Sequence, residues 1–156
     1  MPVSPIPEGV RTVTPSLTLK DAAKAIGFYK EAFGATELMC MKTPDGRVAH
    51  CELKIGDSVI FVNDEFPGGK TSSPQTLGMS TGGICLYVED VDTSYARAIE
   101  AGGTTEMPVA DMFWGDRFGT LVDPFGHIWS IATRKEELTP EQMAERAKAF
   151  YAKAAA

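Results

Sequence analysis

The chain has 156 residues and a formal net charge of -6. An acidic chain with no run of Lys or Arg lacks the positive surface that nucleic acid requires, so no nucleic-acid partner is expected. No stretch approaches the roughly 18 apolar residues of a membrane span, and the first residues lack a signal-peptide pattern. We therefore expect a cytoplasmic protein without a membrane partner. The 3 cysteines suit neither a disulfide framework nor a Cys-x-x-Cys zinc site, so they are expected to be buried thiols.

After a Pro-rich leader at residues 1–10, apolar and polar side chains alternate over residues 11–19, which predicts a strand with one buried face. Asp21 can cap a helix whose apolar residues recur at three- and four-residue steps up to Gly34. Turn signals then separate three further predicted strands, at residues 36–41, 48–55 and 58–63. The predicted order is βαβββ.

The second half of the chain repeats the first. Shifted by 69 residues, Leu17 to Glu37 falls on Leu86 to Glu106 with seven of 21 positions identical. The same shift sets His50 against Gly119 and Phe61 against Ser130. A repeat of this length predicts a second module of the same kind. We therefore expect an α+β fold with one structural domain made of two tandem βαβββ modules, residues 11–63 and 81–134, joined by a mobile linker at 64–80 that borders the ligand site.

The last segment, residues 135–156, changes in character. Thr139, Pro140 and Gln142 have the spacing of an N-cap, a first-turn proline and a capping box, which predicts a C-terminal helix. One side of this helix is apolar and is expected to dock on the domain or on a second subunit. The residues of this stripe are Met143, Ala147, Phe150 and Tyr151.

Residues 114–133 are predicted to form a hairpin around the turn Asp123-Pro-Phe-Gly126. Alternation along its strands predicts two faces. A bulky, helix-side face is expected to contain Phe118, Thr120, Val122, Trp129 and Ile131. A smaller face that borders a cleft is expected to contain Arg117, Gly119, Leu121, Ile128 and Ser130. His127 is expected to lie on the helix side with Trp129 and to have a structural role.

The two modules, the helix entry at Leu19 to Tyr29 and the motif Val122-Asp-Pro-Phe-Gly126 resemble the vicinal oxygen chelate superfamily over about residues 10–133. This superfamily groups glyoxalase I, bleomycin and fosfomycin resistance proteins and extradiol dioxygenases. The segments Val48 to Leu53, Ile55 to Ile60 and Trp114 to Arg117 resemble its branch of glyoxalase-like proteins associated with phosphonate gene clusters. The resemblance implies a homodimer with a ligand cleft between paired modules.

The resemblance also implies a metal held by His or Glu on the first and fourth strands of each module. In this chain those positions fall on Thr14, Phe61, Gly83 and Ser130. Two hydroxyls, a phenyl ring and a hydrogen atom do not supply the imidazole or carboxylate ligands of a divalent metal. We therefore expect no metal cofactor, and a metal held by displaced ligands is the alternative.

Strand alternation predicts a polar and aromatic cleft lining. It comprises Thr14, Ser16, Thr18, His50, Glu52, Phe61, Asn63, Cys85, Tyr87, Arg117 and Ser130. Among these, His50 and Glu52 lie two apart on one strand and are candidates for an acid/base pair or for part of a metal site. The alternative is a structural, hydrogen-bonded His50 and a Glu52 ion-paired to Arg117.

Trp114 and Arg117 are predicted to recognise a planar or anionic ligand, since indole offers stacking area and guanidinium matches carboxylate or phosphate. Alternatively, Trp114 covers the core and Arg117 pairs with Asp116 or Glu52. The predicted substrate-binding set is Thr14, Ser16, Phe61, Asn63, Tyr87, Trp114, Arg117 and Ser130.

Two functions remain open from the sequence. One is a binding protein that holds a small organic molecule without the metal of the family. The other is an enzyme: a lyase or isomerase that uses His50 and Glu52, or a metal-dependent member such as a dioxygenase.

Overall fold

A computed structural model describes residues 3–156, so Met1 and Pro2 of the predicted leader lie outside the described residues. It contains two βαβββ modules, as predicted. Module 1 consists of β1 (Ser16–Leu19), α1 (Ala22–Phe33), β2 (Thr36–Lys42), β3 (Val48–Ile55) and β4 (Ser58–Asp64). Module 2 consists of β5 (Gly83–Tyr87), α3 (Val91–Glu100), β6 (Thr104–Asp111), β7 (Asp116–Val122) and β8 (Ile128–Arg134). A short helix α2 (Pro74–Leu77) lies between the modules, and α4 (Pro140–Ala154) follows them.

The two modules have the same sheet topology. Their strand orders are β1-β4-β3-β2 and β5-β8-β7-β6, and in each the first strand runs parallel to the fourth while the other pairs are antiparallel. The end of the fourth strand also supports the helix in the same way in both modules. Asp64 accepts a hydrogen bond from the Ala22 amide at 2.7 Å, and Thr133 accepts one from the Val91 amide at 2.9 Å.

Helix α1 begins and ends as the sequence predicted. The Asp21 side chain accepts a hydrogen bond from the Lys24 amide at 3.2 Å, and Gly34 has a φ of 66°, which an L residue rarely adopts. Helix α4 likewise has the predicted capping box between Thr139 and Gln142. Within residues 3–156, no helix combines the length and apolar character needed to cross a membrane.

The start of the first strand and the linker differ from the predictions. Strand β1 begins at Ser16 rather than near residue 11, because the chain turns before it: the Thr14 hydroxyl donates to the Arg11 carbonyl at 3.0 Å. The linker contains α2, which was not predicted. Ser73 caps this helix by accepting a hydrogen bond from the Thr76 amide, and Pro74 occupies its first turn. The Ser-Pro pair is therefore the signal that could have revealed it.

Helix α1 joins the two modules by packing on β8 of module 2. The ring centroid of Trp129 lies 5.2 Å from that of Tyr29 and 4.4 Å from that of Phe33. Asp123, at the turn before β8, accepts hydrogen bonds from the Tyr29 hydroxyl at 2.7 Å and from Trp129 Nε1 at 2.9 Å. The buried residues of both modules therefore form one hydrophobic core.

The predicted faces of the β7–β8 hairpin are wrong. Val122 pairs with Ile128, so Leu121 lies opposite Trp129 and Gly119 opposite Ile131. Directly opposite residues share a face. The core face consists of Arg117, Gly119, Leu121, Trp129, Ile131 and Thr133, and the other face consists of Phe118, Thr120, Val122, Ile128, Ser130 and Ala132. The register also corrects the match between the modules. Val62 and Ile131 are 69 residues apart and correspond; Val62 pairs with Cys51, and Ile131 pairs with Gly119. Cys51, and not His50, is therefore the equivalent of Gly119.

Helix α4 docks on its own chain through aromatic contacts. Phe113 lies 5.0 Å from Phe150 and 5.9 Å from Tyr151 between ring centroids. Arg146 adds two hydrogen bonds to Glu136, at 2.6 and 3.0 Å. None of the α4 residues is buried, so this docking is superficial.

Candidate functional site

Each sheet has one face in the hydrophobic core and a second face, here called the open face. In module 1 the register of β2, β3 and β4 places a mixed set of side chains on the open face. These residues include Ser16, Thr18, Met39, Met41, His50, Glu52, Phe61 and Asn63. The sequence predicted six of these eight, and it missed Met39 and Met41, which lie opposite Glu52 and His50 on the edge strand.

His50 and Glu52 contact each other on this face. His50 Nε2 lies 3.2 Å from Glu52 Oε1, and the side chains are 33% and 24% exposed. The His50 ring also contacts the edge of Phe61, with centroids 4.8 Å apart. A carboxylate on one ring nitrogen orients the imidazole and leaves its second nitrogen to accept or donate a proton. The pair thus has the arrangement that either polar recognition or acid/base chemistry requires.

Arg117 does not pair with Glu52, as one alternative had it. Its Nε and Nη2 donate to Asp92 at 2.7 and 2.8 Å, and its Nη1 donates to Asp111 at 3.2 Å. The guanidinium hydrogen bond holds the pKa of the Asp92 carboxyl below its ordinary value. Arg117 lies on the core-side face of β7 and links this strand to α3 and β6, so its predicted position in the cleft is corrected.

Asp116 is the central residue on the open face of module 2. From the sequence it is expected only as a possible ion-pair partner of Arg117. Asp116 Oδ2 accepts hydrogen bonds from the Tyr87 hydroxyl at 2.7 Å and from Trp114 Nε1 at 3.1 Å. Its residue is 7% exposed. The hydrogen bond to this carboxylate raises the pKa of Tyr87 above its ordinary value. Two aromatic side chains therefore bond this carboxylate, and Phe118 packs edge to face on one of them, with its ring centroid 5.3 Å from that of Trp114.

The other predicted site residues are distributed over several places. Ser130 lies on the open face of module 2, 3.4 Å from the Thr120 hydroxyl. Asn63 donates a hydrogen bond to the Asp64 carbonyl at 2.9 Å. Thr14 lies before β1 and outside the sheet. The residues that the sequence predicted as one cleft are therefore distributed over the open faces of both sheets and their borders.

Two cavities lie where the modules meet. One of about 520 Å³ is bordered by the linker and includes Ser16, Met79, Gly83, His127 and Ile128 in its lining. His127 is held there by a 3.0 Å contact between its Nε2 and the Thr18 carbonyl and by its amide, which donates to Asp123. The second, of about 560 Å³, is lined by Val13, Phe33, Cys85 and Tyr87 among others. Neither cavity includes His50 or Glu52.

The residues at the four family metal positions do not fit a divalent metal. The positions carry the hydroxyls of Thr14 and Ser130, the ring of Phe61 and the hydrogen of Gly83, none of which is an imidazole or carboxylate ligand. Among residues 3–156, no three His, Cys, Asp or Glu side chains gather as a set of metal ligands. The donor set at these four positions therefore disagrees with the metal that the family implies.

Comparisons with known proteins agree with this fold. Residues 11–131 match the glyoxalase family, described as the Glyoxalase/Bleomycin resistance protein/Dioxygenase superfamily. The chain belongs to this superfamily. It is 40% identical over 134 residues to the uncharacterised protein Rv0887c of Mycobacterium tuberculosis, a match that covers 84% of this chain and 79% of that protein.

Two solved structures extend the comparison. The structure of the At5g48480 gene product of Arabidopsis thaliana superposes with a TM-score of 0.63 at 28% identity, covering 78% of this chain and 98% of the other. TnmS3, an antibiotic binding protein from Streptomyces sp. CB03234, superposes with a TM-score of 0.58 at 24% identity. The match covers 86% of this chain and 99% of TnmS3. This second likeness concerns the fold alone.

Proposed function

We propose that the chain binds a small organic molecule on the open face of module 1 and that His50 and Glu52 recognise a polar group of this ligand. The observation that carries the proposal is the His50–Glu52 contact at 3.2 Å beside Phe61. Both side chains are half-buried, and they lie together among the apolar side chains of Phe61, Met39 and Met41. A few convergent polar groups on an apolar surface are typical of ligand sites.

The composition of the face supports this proposal. Met39 and Met41 are 41% and 54% exposed and flank the polar pair from the edge strand. Methionine adapts its shape to irregular ligands, and Phe61 offers a flat surface for stacking. TnmS3, which has the same fold, is an antibiotic binding protein, so the binding of a small molecule that we propose is compatible with this fold. The family metal takes no part in this proposal.

Native mass spectrometry of the protein from its cell extract tests the proposal first, because it identifies the molecule that travels with the chain. Calorimetric titration of that molecule then compares His50→Gln and Glu52→Gln with the parent. We expect a loss of about 1.5–3 kcal/mol, the scale of a hydrogen bond to a charged group. Glu106→Gln, an exposed residue on a strand of module 2, is the matched control and should bind like the parent. Unchanged affinity in both test variants would refute the assignment of the site.

A second candidate is an acid/base lyase or isomerase that uses the same pair. The specific observation in its favour is the carboxylate contact to one nitrogen of His50, which resembles the base and orienting group of many active sites. The copurified molecule would then exchange a carbon-bound hydrogen with solvent deuterium in the presence of the parent protein. No exchange with the parent protein excludes this candidate, and exchange that persists in His50→Gln excludes His50 as the base.

We further propose a homodimer. Within the described residues 3–156, strands β1 and β5 are each paired on one side only, and edges of this kind are commonly covered by another chain. Leu38 of β2, which is 50% exposed and is not assigned to the ligand site, supports the same proposal, since a second copy would cover it. Membership of the phosphonate-cluster branch and a cytoplasmic location stay predictions.

A further inference from the structure

Two of the three cysteines lie directly opposite each other in module 1. Cys40 on β2 pairs with Cys51 on β3, and both are free thiols. Cys51 is 0% exposed and belongs to the hydrophobic core, whereas Cys40 is half-buried and packs against that core. Cys85 is on another sheet and is exposed, contrary to the expectation of a buried thiol.

The backbone at this pair is compatible with a disulfide. Opposite residues of an antiparallel pair have Cα atoms about 4.5 or 5.5 Å apart, and both values fall within the roughly 4.4–6.8 Å range of disulfides. Strand β2 is an edge strand, and its pairing with β3 shifts register on both sides of Cys40, between Glu37 and Met39 and between Met41 and Lys42. An irregular edge strand adjusts its position more easily than a central strand.

We propose that Cys40 and Cys51 are an oxidation site that hydrogen peroxide converts to an intramolecular disulfide, and that this bridge alters the open face that carries His50 and Glu52. The inference does not depend on whether that face binds a ligand. It assigns a covalent modification to the core side of the same two strands.

The two thiols have different roles in the reaction. Burial, and then the neighbouring Cys40 thiol, raise the pKa of the Cys51 thiol to about 12, so Cys51 stays protonated and is shielded from solvent. Cys40 therefore meets the peroxide first. Its sulfur attacks one peroxide oxygen, the O–O bond breaks, and Cys40 becomes a sulfenic acid as one water leaves.

Cys51 then attacks the sulfur of the oxidised Cys40. The S–S bond forms, the S–O bond breaks, and the hydroxyl leaves with the thiol proton of Cys51 as a second water. Two thiols are oxidised and one peroxide is reduced to two waters. The high pKa slows this step, but the opposite position of the two sulfurs supplies the proximity that an intramolecular attack requires.

The bridge is coupled to the open face through the strand register. The pair Cys40–Cys51 lies between the pair Met39–Glu52 and the pair Met41–His50. Because successive side chains of a strand alternate between faces, a shift of β2 toward β3 at the cysteines moves both neighbouring pairs on the opposite face. His50 is therefore a reporter for the state of the thiols.

The experiment treats the purified full-length protein with hydrogen peroxide and follows its mass, its disulfide map and the NMR signals of its 2 histidines. We expect the loss of two hydrogen atoms, a peptide that joins Cys40 to Cys51, and reversal by dithiothreitol. The His50 imidazole signal should move, while that of His127 should stay within its line width.

Variants separate the possible outcomes. Cys40→Ser, at a half-buried position, should fold and should abolish the mass loss, and Cys51→Ala provides the same test from the buried side. Cys85→Ser is the matched control and should form the bridge as the parent does. A sulfinic acid on Cys40 without a bridge, or a bridge that contains Cys85, would overturn the oxidation site. A Cys40–Cys51 bridge with an unmoved His50 signal would overturn the coupling to the open face.

Discussion

The carboxylate of Asp123 is the position where a single substitution should cost most at the junction of the modules. This residue is 4% exposed, and its carboxylate accepts four hydrogen bonds. Its Oδ1 accepts from the Phe125 and His127 amides, each at 2.9 Å, and its Oδ2 accepts from Tyr29 and Trp129. Asp123→Asn preserves the shape of the side chain but replaces one acceptor oxygen with an NH2 donor.

The expected cost follows from the nature of these partners. If the new NH2 group takes the place of Oδ2, it faces Tyr29 and Trp129. It can donate to the Tyr29 hydroxyl, which can rotate to accept. It cannot bond the Trp129 indole N–H, because both groups are donors. An unpaired buried N–H costs about 1–3 kcal/mol, and each remaining hydrogen bond loses the charge that makes it stronger than a neutral one. Relief from burying a carboxylate offsets part of this cost. We expect a net destabilisation of about 3 kcal/mol from these terms.

Urea denaturation of the two proteins measures this difference as the change in free energy of unfolding. The matched control is Asp57→Asn, in the corresponding hairpin turn of module 1, where the carboxylate is exposed and accepts a hydrogen bond from the neighbouring Ser58 hydroxyl. A surface change of this kind should cost less than about 0.5 kcal/mol. If Asp123→Asn costs less than about 1 kcal/mol, or no more than the control, the carboxylate does not stabilise the junction and the reasoning is refuted.

Other predictions concern packing, pH and assembly. Gly119→Ala should destabilise the protein by about 1–3 kcal/mol in thermal unfolding, because a Cβ there would lie 2.9 Å from atoms of Tyr95 and Val109. Gly27→Ala, in an exposed helical position, should instead stabilise the protein by about 0.5–1 kcal/mol. Burial, and then Asp123, raise the pKa of Tyr29. The stability that Tyr29 contributes is therefore complete below about pH 10 and is lost as the pH rises through its pKa in the folded protein. The free energy of unfolding of Tyr29→Phe should accordingly decrease less than that of the parent as the pH rises above about 10. EDTA should leave the melting temperature unchanged, and a decrease of several degrees that one divalent ion reverses would contradict the expected absence of a metal. Sedimentation should give about twice 16.8 kDa, and a monomer at all concentrations would contradict the dimer.

The sequence predicted elements that depend on local chemistry. Helix α1 lies between Asp21 and Gly34 because a capping side chain and a left-handed residue act within one turn of the chain. Strand β3 has the predicted bounds, since a two-residue turn separates it from β4. The second module was predicted from the internal repeat, because the local sequence signals in that half of the chain are weaker.

The open face of module 1 was predicted for the same reason. The turn at Gly56 and Asp57 has two residues, and Ile55 pairs with Ser58 across it. This register sets even-numbered residues of β3 beside odd-numbered residues of β4, so His50 and Glu52 share a face with Phe61. A hairpin with so short a turn leaves one pairing that the sequence can identify.

The β7–β8 hairpin follows a different rule, and this explains the misplacement of Arg117. Five residues, Asp123 to His127, separate the paired ends Val122 and Ile128, because Asp123 uses its side chain to accept two amides of its own turn. With an odd number of loop residues, the odd-numbered residues of both strands lie on the same face of the sheet. A loop one residue longer or shorter would put the odd-numbered residues of one strand on the face of the even-numbered residues of the other. The 69-residue shift of the repeat carries no information on this difference. The turn that the Asp123 side chain closes therefore also sets Arg117 on the core-side face of β7, where it bonds Asp92 of α3, while Asp116 lies on the open face beside Trp114.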